Sequence, residues 1–263
     1  MPSTIIQDLY LYPVKSLAGV KVDQIDFNAF GPIDDRRYML VDHKHRFLTQ
    51  RSHSVLSQFT LQKTANGWMV FSPKGQSILI EADSDSDDII ETSVWKTLLK
   101  TREVSKKVSQ WFSEQIDEMV LLVEFDDLET RYKQILDHSA PFKFADGYPL
   151  LVCNSESLND LNQRVNVAMD MLRFRPNVVV SLPAQSEYQV AKLVNASNGS
   201  LIFAEPCVRC NVPAIDPKTS VFQRELFIQL KKELAQADKT VFGMNAIVTG
   251  LKRLKVGDQF DVC

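Results

Sequence analysis

The chain is organised around the stretch Phe203-Ala204-Glu205-Pro206-Cys207-Val208-Arg209-Cys210-Asn211-Val212-Pro213-Ala214-Ile215-Asp216-Pro217-Lys218-Thr219. It holds two of the four cysteines with an arginine between them, and an arginine beside a thiol favours the reactive thiolate. The apolar run 199–204 predicts a buried strand, and Pro206 is expected to end its pairing because proline has no N–H to donate. The thiols are therefore predicted just past a strand end, where functional side chains often collect.

A Cys-x-x-Cys pair by itself leaves several roles open. It provides half of a tetrahedral zinc site, and the sequence has no second Cys pair or His pair to complete one. None of the four histidines falls in a spacing typical of hydrolytic zinc sites or of Ser-His catalysis. At this point a metal site, a redox pair and a structural role all remain open.

Composition narrows the class of protein. The 263 residues, 44% hydrophobic and 24% charged, are typical of a globular protein with a sizeable core. The net charge of −3 gives no support for a nucleic-acid partner, and the longest apolar runs are too short to cross a membrane. The N-terminus lacks the pattern of a secretory signal, and four scattered cysteines make no disulfide framework. We therefore expect a reducing, cytoplasmic setting.

The periodicity of apolar residues predicts a mainly β fold with some helix, of the α+β class. In the first third, short runs rich in Val, Ile, Phe and Tyr alternate with Gly and Pro turns, which indicates a barrel or sandwich. Apolar residues recur at helical spacing over 104–116 and predict an amphipathic helix. The acidic segment 83–88 is interpreted as a solvated loop. We divide the chain into domains at 1–125 and 126–263, with 126–140 as an irregular connection.

Several polar side chains are predicted beside strand ends in both halves of the chain. A lysine, an arginine or a hydroxyl in such a place can bind a phosphate or another oxyanion. Each signal is weak alone, because charged residues next to a strand usually form a solvated rim. The residues are Lys15, Ser16, Arg36, Arg51, Arg175 and Asn177.

Six stretches together form a recognisable set. They are Tyr12-Pro13-Val14-Lys15-Ser16, Asp35-Arg36-Arg37-Tyr38-Met39-Leu40-Val41 with Thr49-Gln50-Arg51, Phe144-Ala145-Asp146-Gly147-Tyr148-Pro149, Ser155-Glu156-Ser157-Leu158-Asn159-Asp160-Leu161-Asn162, Phe174-Arg175-Pro176-Asn177, and Pro206-Cys207-Val208-Arg209-Cys210 with Asp216-Pro217. Their order and spacing resemble the MOSC proteins that carry an N-terminal MOSC β-barrel domain, namely the bacterial YcbX-like proteins and the mitochondrial amidoxime reducing component. The resemblance extends over nearly the whole chain and implies a MOSC β-barrel in the second half.

This resemblance implies a molybdenum cofactor, a Mo-molybdopterin whose metal also takes one protein cysteine. That ligand falls on Cys210, with Arg209 and Cys207 shaping its surroundings, and a soft thiolate in a positive pocket suits such a metal. Asp216 is expected to orient the loop or to relay a proton. The other implied cofactor contacts are Lys15, Ser16 and Arg36 at the phosphate arm, and Arg175 and Asn177 beside the pterin with Ser155 and Ser157 near it. Arg51 is predicted as a further cofactor-binding residue.

The implied activity is the reduction of small N-hydroxylated compounds, in which the cofactor carries the chemistry. Because the chain stops at Cys263 with no ferredoxin domain, we expect electrons from a separate ferredoxin-type or flavin-type protein. The family usually has Thr-Thr or a similar pair after the second cysteine, whereas this chain has Asn211-Val212, so its substrate preference could differ. Two alternatives stay open. One is a carrier of the cofactor or its sulfur without turnover, and the other is a relative whose cysteines hold zinc or nothing.

Overall fold

The structure is a computed structural model that describes residues 2–82, 89–129, 131–135, 137–165 and 167–263. The segment 83–88, predicted as a solvated loop, lies outside the described residues. No helix in the described part of the chain is long and apolar enough to cross a membrane. The helices are α1 (Lys106–Ile116), α2 (Ser155–Arg164) and α3 (Arg224–Glu233), with 3-10 turns at Ser54–Gln58, Met171–Phe174, Ser186–Gln189 and Val212–Ala214.

Strands account for most of the regular structure in both halves of the chain. The strands of the first half are β1 (Ser3–Leu11), β2 (Val20–Val22), β3 (Gln24–Asn28), β4 (Gly31–Pro32), β5 (Tyr38–Asp42), β6 (Thr60–Thr64), β7 (Gly67–Phe71), β8 (Ser77–Glu81), β9 (Ile89–Val94), β10 (Thr97–Glu103) and β11 (Val120–Phe125). Those of the second half are β12 (Tyr132–Ile135), β13 (His138–Pro141), β14 (Leu150–Asn154), β15 (Val178–Val180), β16 (Lys192–Val194), β17 (Ser200–Val208), β18 (Ala235–Gln236), β19 (Lys239–Thr249), β20 (Arg253–Lys255) and β21 (Gln259–Val262).

The second half contains a closed barrel of seven strands in the order β14-β15-β1-β21-β16-β17-β19, which the pairing of β19 with β14 completes. Only β14 and β15 run parallel; the other ladders of the ring are antiparallel. The inward side chains form a hydrophobic core that includes Leu9, Val152, Leu201 and Phe260, all nearly inaccessible to solvent. Burial of such side chains is the main force that stabilises the barrel.

The first half is built from two small antiparallel sheets, β5-β11-β10-β9 and β6-β7-β8. The helix α1 begins at Ser105, whose side chain accepts a hydrogen bond from the Val108 N–H, as expected of a helix N-cap. Its inner face places Phe112 in an aromatic cluster with Phe59 and Trp111. This half therefore has its own hydrophobic core.

The predicted fold class, mainly β with some helix and a barrel in the second half, is confirmed. The domain boundary after residue 125 stays a prediction, and the hydrogen bonding adds that β1 belongs to the barrel of the second half. The connection at 126–140 is less irregular than predicted, because β12 and β13 pair there as a hairpin. The chain thus begins with a strand of the seven-stranded barrel and then forms the two small sheets of the first unit. This order connects the two halves.

Candidate functional site

Both halves of the chain line a cleft of about 410 Å³. This volume falls in the range of cofactor and ligand sites. Nine of the twelve predicted site residues line it, although they are far apart in the sequence. The predicted residues in the cleft are Lys15, Ser16, Arg36, Arg51, Arg175, Asn177, Cys207, Arg209 and Cys210.

Lys15 anchors one wall of the cleft. Its side chain is buried, and its Nζ donates to the Phe144 carbonyl oxygen at 2.8 Å and to Asp146 Oδ1 at 2.6 Å. Burial lowers the pKa of Lys15, and the Asp146 carboxylate opposes that shift. The Asp146 side chain keeps contact with solvent; its enclosure by the cleft disfavours ionisation, but the Lys15 ammonium outweighs this effect and holds the pKa of Asp146 well below its usual range. The pair therefore joins the loop after β1 to the loop before β14.

Two arginines of the cleft meet on one buried tyrosine. The guanidinium carbons of Arg36 and Arg175 each lie 4.3 Å from the centre of the Tyr12 ring. Such cation–π contacts are strongest where water is excluded, and Tyr12 is fully buried. Burial lowers the pKa of Arg175 to about 10, with a further contribution from Arg36. Arg175 therefore remains positively charged at neutral pH.

Asn177 connects these arginines to the barrel. Its side-chain oxygen accepts from Arg36 Nη1 at 3.0 Å and from the Leu151 N–H at 3.2 Å. Its Nδ2 donates to the Tyr10 carbonyl oxygen at 3.2 Å. Arg36 Nη1 also lies 2.5 Å from Asp35 Oδ2. Since Asn177 is buried and fully bonded, it fixes the position of Arg36 rather than offering free hydrogen-bonding groups to the cleft.

Four residues of the cleft have backbone conformations that side chains seldom adopt. They are Ser16 (φ 73°), Arg36 (φ 46°), Arg175 (φ 57°) and Trp95 (φ 56°). A left-handed conformation costs a residue other than glycine roughly 1–2 kcal/mol, and such strain is concentrated at functional sites. The surrounding contacts hold each of these side chains in place despite that cost.

The thiols lie at the end of β17, which continues to Val208. The prediction that Pro206 ends the strand is wrong, because register shifts on both sides of it let β17 pair with β19 despite the missing N–H. Arg209 Nη1 donates to Cys207 Sγ at 3.0 Å, and its Nη2 donates to the Phe174 carbonyl oxygen at 2.7 Å. Cys210 is exposed, so a ligand in the cleft can reach its sulfur.

The structure does not bring the two predicted serines into the cleft. Ser157 is buried and does not line the cleft, and its Oγ donates to Glu187 Oε2 at 2.9 Å. Ser155 is at the start of the same helix, and its hydroxyl lies 3.4 Å from Glu156 Oε1. In this structure these hydroxyls serve the packing and the start of α2, and the place of the two serines beside a pterin stays a prediction.

Asp216 also lies outside the lining of the cleft. Its Oδ1 accepts from the Lys218 N–H at 2.8 Å and the Thr219 N–H at 3.3 Å, which closes the turn after Pro217. Its Oδ2 lies 3.4 Å from Arg173 Nη2. Of the two roles predicted for Asp216, these contacts favour orientation of the loop.

Other lining residues were not predicted from the sequence. Asp146 and Tyr148 belong to a stretch that was recognised, but no role could be given to them. Trp95 is at the tip of the β9–β10 hairpin and carries no sequence signal for a site. Burial, followed by a hydrogen bond to Glu205, raises the pKa of Tyr148 to about 12. The unpredicted residues of the lining include Thr49, Gln50, Trp95, Asp146, Tyr148 and Asn245.

The side chains that line the cleft suit a ligand that carries negative charge and whose metal binds one protein thiolate. Five cationic side chains and one carboxylate line it, so the local field favours phosphate and thiolate groups. Arg209 Nε is buried and has no hydrogen-bond partner in the part of the chain that the structure describes, so it is available to a bound group. Within the described residues, no three His, Cys, Asp or Glu side chains gather into a metal site. The donors present therefore fit a cofactor that brings most of its own metal ligands.

In comparison with known proteins, each half of the chain matches the model of a protein domain family. Residues 3–119 match the MOSC N-terminal beta barrel domain, and residues 139–261 match the MOSC domain. The chain is 26% identical to mitochondrial amidoxime reducing component 2 of Macaca fascicularis, over 96% of this chain and 82% of that protein. It is 24% identical to human molybdenum cofactor sulfurase, over 91% of this chain and 29% of that protein. The solved YuaD protein of Bacillus subtilis superposes over 99% of this chain and 96% of its own, with a TM-score of 0.43 and 14% identity.

Proposed function

This chain belongs to the MOSC proteins that carry an N-terminal MOSC β-barrel domain, and on that premise we propose that it binds a molybdenum cofactor and reduces N-hydroxylated compounds. One observation supports the proposal most directly. The cations Lys15, Arg36, Arg175 and Arg209 converge on the same cleft as the exposed thiol of Cys210. A phosphate-bearing cofactor whose metal takes one thiolate needs both features together.

The residues of the chain divide the binding between them. Lys15 and Arg36 are placed to hold the phosphate arm, with the hydroxyl and backbone of Ser16 beside them. Arg175 lines the cleft and supplies further positive charge. Cys210 provides the thiolate ligand, and Arg209 fixes Cys207 next to it. Arg51 lines the outer part of the cleft, with its guanidinium carbon 4.8 Å from the centre of the Trp95 ring.

The bound cofactor would supply the two-electron redox centre, and the protein supplies the pocket, the charge and the ligand. Overall, an N-hydroxylated amine takes up two electrons and two protons, its N–O bond breaks, and the amine and one water leave. The cationic side chains of the cleft would stabilise the negative charge that develops on the substrate oxygen as the N–O bond breaks. The two electrons come from a separate donor protein of the ferredoxin or flavin type, and we propose a cytoplasmic setting for the reaction.

The proposal is tested with protein produced in a host that makes the cofactor. We expect near-stoichiometric molybdenum and pterin in the wild type, and reduction of benzamidoxime and hydroxylamine with a reduced viologen dye as electron donor. Cys210→Ser should lose the turnover. Cys263→Ser is the matched control, because Cys263 is also an exposed free cysteine but does not line the cleft. Full turnover in Cys210→Ser, or loss in both variants, contradicts the ligand assignment.

A carrier that binds the cofactor or its sulfur without turnover is the second candidate. It is favoured by the 24% identity to human molybdenum cofactor sulfurase, nearly the same as the identity to the amidoxime reducing component. A carrier should transfer molybdenum cofactor stoichiometrically to a cofactor-free acceptor enzyme. A carrier should also show no reduction of either N-hydroxylated compound with the viologen donor.

A further inference from the structure

The tip of the β9–β10 hairpin places Trp95 at the mouth of the cleft. Val94 pairs with Thr97, so Trp95 is the first residue of a two-residue turn. Its φ of 56° is a conformation for which such turns normally use Gly, Asn or Asp. For a bulky side chain this backbone geometry is a genuine outlier. A tryptophan in this place therefore calls for a reason beyond the formation of the turn.

The indole ring is held in one orientation by three separate contacts. Its Nε1 donates to Asp146 Oδ1 at 3.3 Å, and Asp146 is itself fixed by the buried Lys15. The Phe47 ring meets it edge to face, with the ring centres 5.3 Å apart. The Arg51 guanidinium carbon lies 4.8 Å from its centre. The first unit thus holds the Trp95 indole ring in a fixed orientation beside the cleft, which residues of both halves of the chain line.

The ring nevertheless remains half accessible, with 50% of Trp95 exposed. Arg51 is also exposed, and no carboxylate of the described residues lies within salt-bridge distance of it. Both side chains line the cleft. An indole and a guanidinium together form a flat, polarisable surface on which a conjugated ring can stack.

We propose that Trp95 and Arg51 form a stacking subsite for the planar, conjugated part of the substrate, and that Trp95 determines the preference for such substrates. The subsite lies at the mouth of the cleft and is open to solvent. Such a position suits a substrate, which enters and leaves, better than a cofactor that stays bound. Aryl amidoximes and N-hydroxylated heteroaromatic rings would use it, whereas hydroxylamine has no planar group to stack. This inference rests on the proposed function and deepens it.

The kinetic test compares benzamidoxime with hydroxylamine in Trp95→Asn, where asparagine keeps the left-handed turn while the ring is removed. We expect kcat/KM for benzamidoxime to fall on the order of tenfold, mainly through KM, from the lost stacking and contact area. Hydroxylamine should change by less than about twofold, and Trp95→Phe should recover most of the loss because it restores an aromatic face. An equal loss with both substrates overturns the proposal.

A binding readout separates this inference from the proposed function. Trp95 is the most exposed of the three tryptophans, so benzamidoxime should quench its fluorescence saturably in the cofactor-loaded protein. The same titration of Trp95→Phe should leave the signal of Trp68 and Trp111 unchanged. Saturable quenching without turnover contradicts only the proposed reduction, whereas turnover without quenching contradicts only the subsite. Loss of molybdenum and pterin from Trp95→Asn shows that the ring holds the cofactor, which also overturns the proposal.

Discussion

Lys15 Nζ lies 2.6 Å from Asp146 Oδ1, and this ion pair joins two loops that are 131 residues apart in the sequence. Lys15 follows the first strand of the chain, and Asp146 precedes the first barrel strand of the second half. The lysine is buried while the aspartate remains largely exposed. The buried positive charge of Lys15 is therefore compensated by a carboxylate at the surface of the protein.

Asp146→Asn should reduce the free energy of unfolding by about 1 kcal/mol, because an exposed partner contributes less than a buried one. Asp238→Asn in the exposed turn between β18 and β19 is the control and should have no measurable effect. Urea unfolding of the three proteins at pH 7 provides the comparison. Equal stability of wild type and Asp146→Asn would mean that the Phe144 carbonyl alone satisfies the Lys15 ammonium.

The same pair predicts a pH dependence with a definite sign. The pKa of Asp146 is lower in the folded protein than its unfolded value of about 4. Its contribution is therefore fully present above that unfolded value and is lost as the pH falls through the lower folded pKa. The stability difference between wild type and Asp146→Asn should be constant from neutral pH to mild acid and should shrink below pH 4. A difference that grows with acidity contradicts this assignment.

Tyr12→Phe should leave the protein as stable as the wild type or more stable by up to about 1 kcal/mol. The Tyr12 hydroxyl is buried and has no hydrogen-bond partner among the described residues, so its removal relieves an unsatisfied group, and the ring face used by Arg36 and Arg175 remains. Thr101→Val is the opposite control, because the buried Thr101 hydroxyl donates to the Ile90 carbonyl oxygen at 2.9 Å. It should lose about 1 kcal/mol. Thermal and urea unfolding measure both, and a clear loss in Tyr12→Phe would reveal a partner of its hydroxyl.

Ser157→Ala should lower the free energy of unfolding by about 2 kcal/mol and leave the molybdenum content unchanged. The hydroxyl donates to the buried carboxylate of Glu187 and accepts from the Gln185 N–H, so alanine leaves both groups short of a partner. The neighbouring Ser155→Ala, at a less buried position, should be nearly neutral. Unfolding curves and metal analysis distinguish this packing role from the cofactor contact that the sequence predicted. Loss of cofactor at full stability would instead support a cofactor contact of Ser157.

Asp216→Asn should keep most of the turnover and change stability by less than about 1 kcal/mol, because the amide oxygen can still accept from the Lys218 and Thr219 N–H groups. Asp216→Ala should lose more stability, since Arg173 is then left without its carboxylate. The readout is kcat as a function of pH with the viologen donor. A large loss of kcat in Asp216→Asn together with a shifted pH profile would identify a proton relay instead.

Much of the fold could be predicted from local sequence, because apolar periodicity is a local property. The helix predicted over 104–116 is present as α1, which begins two residues later at Lys106 and ends at Ile116. The course of β17 past Pro206 could not be predicted in the same way. Its register shifts depend on the facing strand β19, which lies some forty residues later.

The site shows the same division between sequence and tertiary structure. The thiol pair, the Lys15–Ser16 turn and the Arg175–Asn177 stretch were predicted from residue types and motif order. Nine of the twelve predicted residues line the cleft. The sequence alone does not tell where the hydroxyls of Ser155 and Ser157 point, because a hydroxyl after a strand can face either side of the following helix. Only packing decided that Ser157 meets Glu187.

The sequence by itself determined the two β-rich units, the family and the chemical identity of the cationic and thiol groups. Tertiary structure decided which of those groups meet. Because β1 pairs with strands of the barrel, Lys15, which follows β1, lies beside Asp146. It also decided the place of Trp95, whose hairpin gives no sign of a site until Asp146 and Arg51 are brought beside it. Long-range pairing and side-chain burial involve residues far apart in the chain, and local patterns carry no information about them.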